Sequence, residues 1–151
     1  MDEEIVYAVE RACIRVLTQY FFHVDRHDFE AAVAYLLPDV IRNVDGDCLL
    51  GRDGVLATMH AFIDDLSMRH MICNVMATVI DADHASLTYN LAVYCHKDVD
   101  VADGTAAIVG IDHICDQVDK FVKMEEGWRI AQRDITTVLQ DTTAVPTPAV
   151  D

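Results

Sequence analysis

Residues 70–97 read HMICNVMATVIDADHASLTYNLAVYCHK, and this stretch decides the fold. Two apolar, β-branched runs, His70 to Asp81 and Ala85 to Lys97, flank Asp81-Ala82-Asp83, a cluster of the residue types that reverse a chain. Both runs are longer than ordinary strands, so together they predict one long hairpin. Two further runs follow toward the C-terminus, Ala106 to Met124 and Trp128 to Val138, set off by Val101-Ala102-Asp103-Gly104 and Glu125-Glu126-Gly127. Four such runs joined by short turns predict an antiparallel meander.

Working back toward the N-terminus, the apolar period changes from two to about 3.6. Ile5, Val9, Cys13, Val16, Leu17, Tyr20 and Val24 recur on one face of a helix from Asp2 to about Val24, with acids at its positive end. A short second helix begins with Asp28 as N-cap and stops before Pro38. Val40 to Val44 and Cys48 to Leu50 form a small hairpin around Asp45-Gly46-Asp47, and a third helix carries the stripe Val55, Met59, Phe62, Ile63 and Leu66. Helices first and a long meander after predict an α+β fold, a cone-shaped half-barrel in which a curved antiparallel or mixed sheet wraps around the N-terminal helices. Residues 1–139 form this domain. Residues 140–151, with two prolines and no period, form an irregular tail.

Composition excludes several classes of function. The chain has 151 residues, 52% of them hydrophobic, enough for one domain with a substantial core. No run approaches the ~20 apolar residues of a membrane span, and the start Met1-Asp2-Glu3-Glu4 is the reverse of a basic leader, so a cytoplasmic protein with no membrane partner is expected. A net charge of -15 argues against nucleic acid. Cys13, Cys48, Cys73, Cys95 and Cys115 include no C-x-x-C pair and read as reduced, mostly buried thiols. His23 and His27 stand four apart, but the sequence supplies no third ligand, and no nucleotide-binding motif occurs, so neither a metal nor a cofactor is expected.

Alternation along the strands sorts the polar residues onto faces. His70, Ile72, Asn74, Met76 and Thr78 share one; Ser86, Thr88, Asn90, Ala92, Tyr94 and His96 another. His113, Cys115, Gln117, Asp119 and Phe121 share a third, and Arg129, Ala131, Arg133, Ile135 and Thr137 a fourth. Apolar bulk with a few isolated polar groups is the lining of a small-molecule pocket. The opposite face of the first long strand, Met71, Cys73, Val75, Ala77 and Val79, is also apolar. No fourth helix exists to cover it, so a homodimer or homotrimer burying it is expected.

Three landmarks occur in order: Val24-Asp25-Arg26-His27-Asp28-Phe29, Arg69-His70-Met71-Ile72-Cys73-Asn74 and Gly127-Trp128-Arg129-Ile130. As a set they resemble the SnoaL-like, nuclear transport factor 2-like superfamily, whose landmarks are D-x-x-D-[WF], R-H-x-x-x-N and G-W-[RK]-I. The superfamily includes scytalone dehydratase, bile-acid 7α-dehydratase and lindane dehydrochlorinase, lyases that work without a cofactor. The resemblance implies that Asp25 orients His70 as general base, with Tyr20 as the third catalytic group. It also implies that Arg133 and His96 bind substrate, as do Gln117 and Asn74 from their strand positions. It further implies a C-terminal segment that packs over the pocket mouth.

The chemistry of such a set follows from the residue types. Histidine is the side chain whose ordinary pKa leaves it a neutral base near pH 7. A carboxylate on its other nitrogen fixes the tautomer and stabilises the imidazolium, and a phenol can donate to the oxygen that gains charge. The expected function is a cofactor-independent lyase or isomerase, dehydratase-like, acting on a small, apolar, cyclic organic molecule. The rival is a non-catalytic ligand-binding or assembly module of the same fold.

Overall fold

The computed structural model describes residues 1–64, 66–97 and 110–141. Three helices, α1 (Glu3–Val24), α2 (Phe29–Val33) and α3 (Arg52–Phe62), accompany six strands, β1 (Leu36–Val44), β2 (Asp47–Leu50), β3 (Leu66–Val79), β4 (His84–Lys97), β5 (His113–Met124) and β6 (Gly127–Gln140). The strands form one curved, unclosed sheet in the order β2-β1-β6-β5-β4-β3. Neighbours are antiparallel except β1 and β6, which run parallel. The sheet is therefore mixed, and the α+β half-barrel stands.

α1 begins where the Asp2 carboxylate accepts from Glu4 N–H at 3.0 Å. Its apolar stripe, Val9 to Val24, is buried against the sheet. Leu17, Phe29, Leu36, Leu87 and Ile130 are fully buried in the core, each worth about 1.5–3 kcal/mol relative to exposure. Val44 and Asp47 pair across Asp45-Gly46, whose φ values of 50° and 98° are those of a type I′ turn. α2 is shorter than expected, because β1 already starts at Leu36; Pro38 is tolerated there since it lies in the irregularity between the Leu36 and Ile41 pairings with β6.

Several strand-level expectations require correction. α3 ends at Phe62, and Leu66 opens β3, four residues before the expected start. Within β3 the pairing shifts between Cys73 and Met76, with Asn74 at φ 51°. One extra residue reverses every later side chain. Val75, Ala77 and Val79 thus pack on the core, whereas Asn74, Met76 and Thr78 are exposed on the outer face. The outer apolar set is Met71 and Cys73 before the bulge and Met76 after it. β6 has the same defect: Ile130 pairs with Phe121 and Gln132 with Lys120, so Ala131 is extra. Trp128 and Ile130 accordingly share the inner face with Arg133, and Arg129 and Ala131 do not.

The thiols also divide differently from expectation. Cys13 and Cys115 are buried and Cys95 is part-buried, but Cys48 on the edge hairpin and Cys73 on the outer face are exposed. The start expected for the third long strand, near Ala106, and the tail beyond Asp141 lie outside the described residues. Asp141 N–H itself donates to Asp112 O at 2.8 Å, extending the β5–β6 ladder by one residue.

Candidate functional site

The last turn of α1 meets the start of β3. Asp25 caps α1, its N–H reaching Phe21 O at 2.9 Å. Its carboxylate stands at the negative end of a long helix, an unfavourable place for an anion unless donors compensate. β3 supplies two: His70 N–H donates to Oδ2 at 3.0 Å and His70 Nδ1–H to Oδ1 at 2.5 Å. Arg69 Nη1 donates to the Asp25 carbonyl at 3.0 Å, satisfying one helix-end acceptor. The pair is held from both main chain and side chain.

The imidazole of His70 lies on the Phe21 ring, centroids 4.6 Å apart, and the two side chains of the pair are only 11% and 9% exposed. With Nδ1 donating to Asp25, the lone pair of the neutral ring sits on Nε2, which has no partner among the described residues. Burial pushes the His70 pKa below its ordinary 6.5; Asp25 opposes this, and the charge of Arg133 adds to it. Near pH 7 the ring is a neutral base with one free nitrogen. That is the protonation state proton abstraction requires.

A second buried polar cluster adjoins the first. Arg133 Nε donates to Asp119 Oδ1 at 3.0 Å and Nη2 to the Tyr89 hydroxyl at 2.9 Å and Gln117 Oε1 at 3.3 Å. The Tyr89 hydroxyl lies 2.8 Å from both Asp119 Oδ2 and Gln117 Oε1. Burial and the Asp119 charge hold the Tyr89 phenol well above its ordinary pKa, so it remains a donor. Burial alone would lower the Arg133 pKa, but Asp119 outweighs it and the guanidinium stays charged. This cation also covers the Tyr20 ring, 4.2 Å from its centroid. Arg133 and Gln117 are therefore bound inside the chain, not extended toward a ligand. Tyr20 is buried, and its hydroxyl makes no hydrogen bond among the described residues.

Two expected substrate-binding residues lie elsewhere. Asn74 is exposed on the outer face, where its Nδ2 donates to Asn90 Oδ1 at 2.7 Å. The bulge described above is the reason. His96 shares the outer phase of β4 with Ser86 to Tyr94, because Leu87, Tyr89, Leu91 and Val93 take the inner one. Its Nδ1 is buried without a partner among the described residues, a fact for which the structure offers no account. A groove of about 530 Å³ lined by Asn74, Met76, Asn90 and Asp116 also lies on this outer face, away from the Asp25–His70 pair. His23 and His27 diverge: His23 Nδ1 lies 3.0 Å from Asp28, and His27 Nε2–H donates to Leu66 O at 2.7 Å.

Two inner-face residues escaped the sequence reading as site candidates. His70, Val93 and His113 are successive register partners on β3, β4 and β5, so the two histidines flank Val93 about 10 Å apart. His113 Nδ1 donates to Asp112 Oδ2 at 2.6 Å. The adjacent Asp112-His113 in the sequence was the available signal. Arg42 is the register partner of Arg133, and its alternation with Val40 and Val44 was the signal there. The buried thiols are poor nucleophiles, since burial pushes Cys13 up to about 12, and burial with Asp112 nearby pushes Cys95 up to about 11.

Comparison with known proteins gives the same architecture. The model of the SnoaL-like domain family matches residues 7–134. No curated protein matches the chain. Among solved structures, a candidate scytalone dehydratase from Novosphingobium aromaticivorans superposes with a TM-score of 0.78 at 17% identity, covering 97% of this chain and 95% of that one. A protein from Catenulispora acidiphila in complex with S-DNPA gives 0.72 at 17% identity, covering 87% and 94%. A nuclear transport factor 2-like protein with a cystatin-like fold, also from N. aromaticivorans, gives 0.71 at 21% identity, covering 92% and 88%. These identities establish a shared fold and no more.

Proposed function

This chain belongs to the SnoaL-like domain family, and we propose that it is a cofactor-independent lyase or isomerase of a small, largely apolar, cyclic organic molecule. The observation that carries this reading is the arrangement of His70: Nδ1 held by Asp25 at 2.5 Å, Nε2 free, and the ring nearly enclosed. In the proposed step, Nε2 takes a proton from carbon next to a carbonyl. The C–H electron pair moves into a new C=C bond as the carbonyl oxygen gains charge. In an elimination the pair then expels a leaving group from the neighbouring carbon, and in an isomerisation the proton returns to a different carbon. Asp25 stabilises the imidazolium that forms, and the Tyr20 hydroxyl donates to the charged oxygen.

Arg133 serves in this reading as a positioning residue. Its guanidinium lies over the Tyr20 ring and is itself fixed by Asp119, so it sets where the phenol points. The C. acidiphila neighbour in complex with S-DNPA supports an organic ligand on this fold.

The test is a split between turnover and folding. His70→Ala and Asp25→Asn are expected to lower turnover of any substrate found by roughly 10²–10⁴-fold, with thermal unfolding within a few degrees of the parent. Comparable loss of folding and turnover would mark the pair as structural. Full turnover in either variant would remove the base from the mechanism and leave the binding-module reading.

A further inference from the structure

Among the described residues Asp25, Asp119, Asp112 and Asp45 each have a donor, but the inward-facing cation Arg42 has no counterion. Asp25 is taken by His70, Asp119 by Arg133 and Tyr89, Asp112 by His113, and Asp45 by Thr137, whose N–H and hydroxyl donate at 2.7 and 2.8 Å. Arg42, by contrast, makes no ion pair and no hydrogen bond among the described residues. It is part-buried, and the strand register gives its direction. The neighbouring Asn43 bonds outward to Asp134 at 2.6 Å, so Arg42 faces inward beside its register partner Arg133. Tyr20, Arg133 and Cys115 are the charged and titratable groups that act on it there, and burial lowers its pKa, as expected of a cation with too little compensation.

Tyr20 and Arg42 thus both lie beside Arg133 on the inner face, and among the described residues each has donors that no partner takes. Water can serve an exposed guanidinium, but a ligand that fills the pocket displaces that water and must replace its hydrogen bonds. A planar guanidinium fork is matched by two oxygens of a carboxylate, or by one delocalised oxyanion on a ring. A neutral hydrocarbon ligand would leave Arg42 desolvated and uncompensated.

We propose that the pocket takes a compact cyclic organic anion, its ionised oxygen seated on Arg42 with the ring directed toward Tyr20, Phe21 and His70. This rests on the ligand-pocket reading above and narrows it from an apolar molecule to an anionic one. Within that reading, the ionised oxygen anchors the ring on Arg42, while the carbonyl oxygen that gains charge as His70 removes the proton is a separate atom served by Tyr20, and the reacting carbon lies on the His70 side of the ring. The acidic exterior, with 26 Asp and Glu against 11 Lys and Arg, makes this a local cationic spot in a protein whose long-range field repels anions.

The experiment is calorimetric titration of the full chain with 1-naphthoate, its neutral isostere 1-naphthamide, and 4-nitrophenol, whose bound ionisation state is read from its visible absorbance. Naphthoate is expected to bind about ten- to hundredfold more tightly than the amide if the natural group is a carboxylate. Capture of nitrophenol as its coloured anion, without a naphthoate preference, identifies a ring oxyanion instead. Arg42→Met keeps the apolar stem and is expected to abolish either preference while leaving naphthamide affinity unchanged. The parent protein alone decides the anion preference, so a poorly folding variant does not block the test. His70→Gln should retain the preference, because anion binding does not need the base. Equal binding of all three probes overturns this inference and leaves the ligand-pocket reading standing; no binding of any probe overturns both. A preference that survives Arg42→Met overturns the assignment to Arg42.

Discussion

Two buried pairs of an acid with a nitrogen base lie on the same inner face and differ in one respect. In the Asp119–Arg133 pair, Tyr89, Gln117 and the Tyr20 ring occupy the surrounding bonding positions, and both side chains are essentially inaccessible at 0% and 2%. In the Asp25–His70 pair the carboxylate is fully engaged, but one edge of the imidazole is left open. An enclosed cluster of fixed charges holds geometry; a neutral imidazole with an open lone pair can exchange a proton with something that enters. Strength of interaction does not separate the two, since both pairs lie within 3.0 Å. The free valence does.

The comparison breaks most easily at the enclosed pair. Asp119→Ala leaves a buried guanidinium without its counterion and is expected to destabilise the fold by about 3–5 kcal/mol, read as a large drop in the urea midpoint. Loss of under about 1 kcal/mol would mean that Arg133 can reach water, and the distinction between the clusters would fail. Replacing both partners by apolar residues of similar volume is expected to cost much less than the single change, because the penalty lies in the unpaired charge.

The pH dependence of His70 sharpens the other half. Its folded pKa lies below the ordinary 6.5, so the stability linked to this group is fully present above pH 6.5 and is lost as the pH falls from there toward the folded value. Activity should follow the neutral form, flat near pH 7 and declining below 6.5. In an NMR titration His70 is expected to protonate below 6.5, and in Asp25→Asn lower still, because burial and Arg133 remain while the group that raises the pKa is gone. A His70 that titrates above 6.5 would show that the Asp25 charge dominates burial.

The smallest effects are expected on the outer face. Asn74→Ala removes one exposed hydrogen bond, and His96→Ala removes an imidazole whose Nδ1 has no partner, so both should change ligand affinity and turnover by less than about twofold. A tenfold loss in either would bring the outer groove into the site.

How much of this was legible in the sequence follows from the range of each interaction. The 3.6-residue stripe of α1, the Asp45-Gly46 turn and the meander from β3 to β6 depend on local conformation and burial pattern, and they were read with small boundary errors. The pairing of Asp25 with His70 came from a resemblance carried by ordered landmarks, since nothing local links residues 45 apart. What only the tertiary structure decided are the bulges after Cys73 and at Ala131. A single inserted residue leaves composition and apolar content unchanged, yet it inverts every side chain beyond it. Asn74 thereby left the pocket face, while Val75, Trp128 and Ile130 entered the interior. The sequence reading gave Arg133 to the substrate and passed over Arg42. Both are arginines on neighbouring strands, and only the three-dimensional arrangement shows that Asp119 neutralises one and that no acid among the described residues pairs with the other.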